Sequence, residues 1–261
     1  PLLINNFRRN RMYLLLIYFL ILVVPIAVMP GYIRTGKMSP YRTVMQATLI
    51  VTVMTVIVFM VASMTGEGIF AQLQELIDDM AKELAKNPMI EDSLNLASVS
   101  KADRVEVISA IYKSAFAVMP ATIMAMSVVV SYIEYIIISK IMSRRVTTVR
   151  RMPKFREFTW PGSALMGIMG MYLLSWLLTK TGVFADSMVY MNIDFLFNFM
   201  FSLQGVSVVL MFCHMKRIPK AIGIIAAVIL WMTYFGRMAL LIIGMIDLIF
   251  GIKKRIKGRS S

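Results

Sequence analysis

The chain has one cysteine, Cys213, and one histidine, His214, in 261 residues. One cysteine excludes an internal disulfide and implies no oxidising compartment. One histidine cannot build a histidine metal cluster, and there is no His-Glu-x-x-His or Gly-x-Ser-x-Gly pattern. No phosphate-cradling loop is present, so the chain cannot power transport alone. Charge is also scarce. Asp, Glu, Lys and Arg make up 16% of residues, where a soluble domain has about 25%. These absences predict no catalytic residues, no enzymatic activity, no cofactor and no bound metal.

Apolar runs are abundant. The composition is 59% hydrophobic, and several runs approach or exceed the roughly 20 residues that cross a bilayer. The expectation is an all-α, polytopic transmembrane helical bundle of about five to seven spans, with residues 1–261 forming a single integral membrane domain. Met12–Met29 reads as the first span, kinked at Pro25 and ended by a turn at Pro30-Gly31. Thr43–Met64 is the second, Phe116–Met142 the third, Ser163 to about Leu178 the fourth and Tyr190–Phe212 the fifth. Ser163, Gly167 and Gly170 lie near one face of the fourth, a pattern that permits close helix approach. Ala221–Phe250 is about 30 apolar residues broken at Phe235-Gly236-Arg237. It is either a short in-and-out hairpin or one long tilted helix.

One stretch has a different character. Gly66–Glu106 holds nine of the fourteen acids: Glu67, Glu75, Asp78, Asp79, Glu83, Glu91, Asp92, Asp103 and Glu106. Ile69, Leu73, Leu76, Ile77, Met80 and Leu84 recur at helical spacing. Asn87-Pro88 stops that helix. Ser100-x-x-Asp103 resembles a capping pattern that opens another. Residues 66–114 therefore read as an amphipathic helical hairpin on the membrane surface, its second helix running into the third span past Pro120.

The net charge is +14. Most of the excess abuts apolar runs, which points to the lipid bilayer and its anionic headgroups as partners rather than to nucleic acid. The densest cluster is Arg144, Arg145, Arg150, Arg151, Lys154 and Arg156, between the third and fourth spans. Basic loops are held on the cytoplasmic side. Loops 31–42, 143–162 and 213–220 are thus expected inside, with the acidic hairpin and the Lys180–Asp186 turn outside.

The basic loop and the C-terminal half of the chain carry a resemblance. Met152-Pro153-Lys154-Phe155-Arg156-Glu157-Phe158-Thr159-Trp160-Pro161 resembles the Pro-x-Phe-x-x-Phe/Trp-x-x-Pro loop of the YybS-like family of predicted bacterial membrane proteins. Leu203-Gln204-Gly205-Val206-Ser207-Val208-Val209 looks like its Gln-Gly-Leu-Ser-Val-Val signature, and Pro219-Lys220 and Gly244-Met245-Ile246-Asp247 fit its closing positions. The family is a domain of unknown function. The resemblance implies location in the bacterial cell membrane and a fold distantly similar to the substrate-binding subunits of energy-coupling-factor transporters. It also implies an apolar helix preceding Pro1-Leu2-Leu3. Family members tend to carry a second acid soon after the position of Asp247; Gly251 stands in that neighbourhood here.

Polar residues at membrane depth are the candidate site. Glu134 lies well inside the third span, and Asp194, Asn198 and Ser202 recur every four residues on one face of the fifth. Arg237 and Asp247 lie within the last apolar stretch. A charge at that depth costs about 2.5–3.5 kcal/mol by insertion scales and faces a partner or a cavity. With Gln204 from the resemblance, the candidate ligand-binding or structural polar cluster is Glu134, Asp194, Asn198, Gln204, Arg237 and Asp247, with Asp194 a candidate partner for Arg237. Two functions are expected from these features. One is a transporter-type subunit binding a small ligand among its helices. The other is a non-enzymatic scaffold or regulator of another membrane protein or of a second copy of itself.

Overall fold

Helices make up most of the residues that the computed structural model describes: 2–64, 69–87, 89–90, 100–144, 149–182, 188–253 and 255. The helices are α1 (Leu2–Thr35), α2 (Pro40–Met64), α3 (Ile69–Leu84), α4 (Lys101–Ala117), α5 (Met119–Met142), α6 (Gly162–Lys180), α7 (Met188–Met215), α8 (Lys220–Met232) and α9 (Tyr234–Phe250), with a 3-10 turn at Phe155–Glu157. There is no strand among the described residues. Five of these helices are long and apolar enough to cross a membrane: Leu15–Thr35 of α1, Pro40–Val58 of α2, α5, α6 and α7. Only 17% to 44% of the residues in their apolar windows are buried. The outward flanks, such as Leu15, Ile57, Ile141, Leu174 and Phe212, are therefore apolar and exposed. A protein with such flanks is a membrane protein, because hydrocarbon is the solvent that accepts them.

Several helix boundaries differ from the sequence expectation. Helix α1 does not stop at Pro30-Gly31; it carries both Pro25 and Pro30 inside and ends at Thr35. The stop is Gly36, whose φ of 60° is the left-handed conformation that closes a helix. The chain does not run unbroken from α4 into α5. It breaks at Val118, which leaves Pro120 in the first turn of α5, where a missing N–H costs nothing. The cap at Ser100 is as expected: its Oγ accepts from the Asp103 N–H at 3.3 Å.

The contacts divide the chain into two compact units, Pro1–Thr35 with Arg42–Ile138, and Gly36–Tyr41 with Ser139–Ser261. In the first, Ile17 and Ile21 of α1 and Val51 of α2 form a buried cluster, onto which Val24, Val58, Ile123 and Val130 pack. Helices α3 and α4 form the expected hairpin. Ala81 and Ile108 are its core, flanked by Leu84, Val105 and Tyr112. Asp78 joins the two helices, accepting from Ser109 Oγ at 2.7 Å and pairing with Lys113 at 3.1 Å. The hydrogen bond from Ser109, with Lys113 next, holds the Asp78 carboxyl below its usual range. Pro88, Glu91 and Asp92 of the expected hairpin lie outside the described residues, as do Arg145 of the basic loop and Asp186 of the Lys180–Asp186 turn.

In the second unit, α7 is the central helix, with α6, α8, α9 and the 3-10 turn packed on it. The last apolar stretch is not one long tilted helix. It breaks at Thr233 with a bend of 107° between α8 and α9, and Lys253 returns to Ser207 and the loop at Phe158. Each arm is short, 13 and 17 residues, or roughly 20 and 26 Å at 1.5 Å per residue. Close approach comes from glycines on α7 and α9. A Cβ on Gly205 would sit 1.9 Å from the Leu240 carbonyl oxygen, and one on Gly244 would sit 2.0 Å from that of Phe201. The small residues singled out on α6 do not have this role: nothing lies within 4 Å of a Cβ built on Gly167 or Gly170. Their spacing is that of a packing stripe, but the helix turns it outward.

Gly205→Ala or Gly244→Ala should force α7 and α9 apart. Overpacking a tight contact costs about 1–3 kcal/mol and more where backbone is the obstacle. Both variants should lower the thermal midpoint in detergent by several degrees. Gly167→Ala and Gly170→Ala should leave it unchanged or raise it, since alanine is the better helix former.

Candidate functional site

The second unit is organised around Asp247. Gly251 caps α9 in the left-handed conformation, with φ 59°. That turn folds the subsequent residues back, so the Lys253 N–H donates to Asp247 Oδ1 at 2.9 Å. Lys253 Nζ lies 3.3 Å from Asp247 Oδ2, which also accepts from Gln204 Nε2 at 2.6 Å. Both carboxylate oxygens are therefore engaged. Gln204 is occupied as well: its Oε1 accepts the Trp160 backbone N–H at 3.2 Å. Lys253 Nζ donates onward to the Phe158 carbonyl and to Ser207 Oγ. Ser207 Oγ in turn donates to the Phe158 carbonyl at 2.8 Å, and the Trp160 indole donates to the Met200 carbonyl at 3.0 Å. Asp247, Gln204, Ser207 and Lys253 are all buried. Burial pushes the Lys253 ammonium below its usual range, and the Asp247 carboxylate opposes that shift.

This network pins the loop between α5 and α6. Phe158 and Trp160 are buried. Phe158 stacks on Phe155, meets Trp160 edge-on and takes Tyr41 edge-on, at 5.3, 5.0 and 5.1 Å. The basic side chains occupy the other surface. Arg144, Arg150, Arg151 and Lys154 are exposed and Arg156 is half-buried. The loop is thus a docked aromatic segment with a basic outer face, not a free tether.

The expected cluster is divided by the structure. Gln204 and Asp247 meet. Asn198 donates to the Asp194 backbone carbonyl at 2.8 Å, and both are half-buried further toward the start of α7. Arg237 is exposed near the corner between α8 and α9 and forms no ion pair with Asp194 among the described residues. The expected partner arrangement required Arg237 to face α7, but Leu240 takes that face against Gly205, and the neighbouring Gly236 packs on Leu230 and Thr233. Glu134 belongs to the first unit. It is 8% exposed, and its Oε2 meets no hydrogen-bond partner. Ser131 Oγ, one turn earlier on α5, and Thr48 Oγ1 on α2 are likewise buried without a partner.

Sequence reasoning missed Lys253 and Ser207. Lys253 is hidden among Lys254, Arg255, Lys257 and Arg259, and nothing local marks it as the buried one. The usable signal was Gly251, whose left-handed cap turns Lys253 back toward Asp247. No group of three or more His, Cys, Asp or Glu residues that could hold a metal ion exists among the described residues. His214 is exposed, and Cys213 packs against Gly223.

Residues 11–248 match the family described as predicted membrane protein (DUF2232). The chain is 23% identical over 188 residues to the uncharacterized protein YybS of Bacillus subtilis (strain 168), a match that covers 72% of this chain and 57% of that protein. The chain thus spans less than two thirds of that relative's length. No solved structure matches.

Breaking a buried ion pair by removing one partner costs about 3–5 kcal/mol, whereas replacing both can be near neutral. Lys253→Met should lower the thermal midpoint and speed trypsin cleavage after Arg150, Arg151 and Lys154. The double variant Asp247→Leu with Lys253→Met should recover part of the midpoint. Limited proteolysis and thermal unfolding of the same samples check both.

Proposed function

The chain belongs to the DUF2232 family of predicted membrane proteins, and on that premise we propose that it binds a small ligand among its helices, in the manner of a transporter's substrate-binding subunit. The observation that supports this reading is the contrast between its two buried carboxylates. Asp247 is saturated by Gln204 and Lys253. Glu134 is buried with an oxygen left unpartnered, beside an unpartnered serine on its own helix. A carboxylate at membrane depth carries a large solvation cost unless something pairs with it. Glu134 lies eight residues before Met142, the end of α5, or roughly 12 Å along the axis at 1.5 Å per residue. That is too deep for a short side chain to reach the interface. In this reading the ligand site lies in the first unit and the Asp247 network is structural.

In this reading the protein is a binding protein and not an enzyme, and any energy for transport comes from another protein. It resides in the bacterial cytoplasmic membrane. The basic surface formed by Arg150, Arg151, Lys154, Lys216, Arg217 and Lys220 faces anionic headgroups of the inner leaflet. A second reading, a scaffold for another membrane protein or a second copy, is supported by the exposed apolar corner at Met232, Tyr234 and Phe235.

Native mass spectrometry of protein purified in mild detergent should show a bound small molecule that Glu134→Gln removes while the variant still folds. Co-purification of a stoichiometric protein with no small ligand would favour the scaffold reading. In a Cys213→Ala background, an impermeant thiol reagent applied to intact cells should label a cysteine at position 87 and not one at position 151.

A further inference from the structure

The face of α7 that meets α6 is an aromatic stripe with one exception. Tyr190, Asp194, Phe197 and Phe201 recur at steps of four, three and four residues, the spacing of one helix face. Tyr172 of α6 lies against that stripe on both sides of the exception. Its ring stacks on Phe197 with centroids 4.3 Å apart and tilts against Tyr190 at 5.9 Å. Its hydroxyl oxygen lies 3.3 Å from that of Tyr190. Phe197 leans in turn on Phe201 at 4.7 Å, and both phenylalanines are buried. Asp194 stands between Tyr190 and Phe197 on this face, and its charge acts on the Tyr190 phenol.

The aromatic residues of the stripe have ordinary explanations. Phe197 and Phe201 pack the seam between the two helices, and Tyr190 lies near the start of α7, the interfacial position that tyrosine takes in membrane proteins. The aspartate has none of these. A carboxylate in an apolar helix is costly and either pairs with another charge or faces a cavity. Asp194 forms no ion pair with a basic side chain among the described residues. Asp194, Tyr172 and Tyr190 are each half-buried, so the carboxylate and both phenol rings keep some accessible surface. Asp194 is six residues after Met188, where α7 begins, or roughly 9 Å along the axis at 1.5 Å per residue. The group is thus within two turns of the helix end.

We propose that Asp194, Tyr190 and Tyr172 form a binding site for an ammonium group, either on a free small molecule or on an ethanolamine lipid headgroup. The chemistry of the side chains selects the class. One carboxylate neutralises one positive charge, and its sign excludes an anion. The tyrosine rings carry negative π faces, which attract the diffuse charge of an alkylated ammonium. A metal ion fits less well. The two phenol oxygens are engaged with each other, and calcium recruits six to eight oxygens. The described residues also hold no group of three or more His, Cys, Asp or Glu that could bind a metal. This site lies in the second unit and goes beyond the ligand-binding reading of Glu134, so either can fail without the other.

The test uses the full chain in mild detergent, with thermal unfolding followed by tryptophan fluorescence. Tetramethylammonium and ethylammonium chloride are each titrated against sodium chloride at constant ionic strength. The expected result is a saturable rise in midpoint with at least one ammonium salt and none with sodium, as mass action requires of a ligand that binds the folded state. The half-saturating concentration should rise about tenfold or more in Asp194→Asn and in Tyr190→Leu, and less than about threefold in Tyr190→Phe, which keeps the ring. Tyr190→Leu keeps the test open should Asp194→Asn fail to fold. Native mass spectrometry with added phosphatidylethanolamine or phosphatidylglycerol tests the lipid source. Selective retention of phosphatidylethanolamine, lost in Asp194→Asn or Tyr190→Leu, assigns the ammonium to a headgroup even where the soluble salts have no effect. Sodium and ammonium salts acting alike with neither lipid selectively held would overturn the proposal. So would an ammonium response or lipid selectivity that persists unchanged in both Asp194→Asn and Tyr190→Leu. Glu134→Gln should respond as the native chain does; loss of the response in that variant alone would place the ammonium elsewhere and sink the assignment to Asp194.

Discussion

The interaction on which the second unit depends is the ion pair between Asp247 and Lys253, closed by the glycine turn at Gly251. It ties the end of α9 to the middle of α7 through Gln204 and to the docked loop through Phe158. Remove it and three things lose their anchor together: the returning arm of the last apolar stretch, the aromatic loop and the chain end. Such a pair is costly to bury, and its attraction offsets that cost only when the remaining lone pairs and protons are also satisfied. Here both Asp247 oxygens and Lys253 Nζ are engaged. The glycines at 205 and 244 are the geometric condition for this arrangement, because they let the backbones of α7 and α9 touch.

Glu134 shows the opposite arrangement. Its helix is equally apolar and its side chain is buried, yet one oxygen has nothing to accept from. A charge within a membrane span is costly and either pairs with another group or marks a candidate site. One unit of the chain uses a carboxylate to hold itself together. The other buries a carboxylate with an oxygen left unpartnered, the observation on which the proposed ligand-binding reading rests.

Much of the architecture was legible in the sequence. The apolar runs located every span, because lipid solvation imposes both their length and their composition. The acidic hairpin and the Ser100 cap were readable from local chemistry. What the sequence withheld depends on long-range geometry. Gly167 and Gly170 have the spacing of a packing stripe yet meet nothing, whereas Gly205 and Gly244, on different helices with no spacing to link them, each meet a neighbouring backbone. Prolines at 25 and 30 look like breaks, but the helix carries both and runs to Thr35, where Gly36 closes it; interior prolines are tolerated in membrane helices because neighbouring groups re-satisfy the freed backbone. Of the polar cluster, Gln204 and Asp247 are hydrogen-bonded to each other, whereas Arg237 is turned outward at the bend and Glu134 stands in the other unit. Lys253 was invisible because a run of bases reads as solvated.

The central claim is that the two buried carboxylates have different roles, and paired thermal unfolding tests it most directly. Asp247→Leu and Glu134→Leu are compared with the native chain in one detergent and one buffer. The account predicts that Asp247→Leu lowers the midpoint sharply, since it strands Lys253 in the interior. It predicts that Glu134→Leu leaves the midpoint unchanged or raises it, since a buried carboxylate without a partner is replaced by an apolar group. A fall for Glu134→Leu as large as that for Asp247→Leu would contradict the account, because Glu134 would then be holding the fold together as Asp247 does.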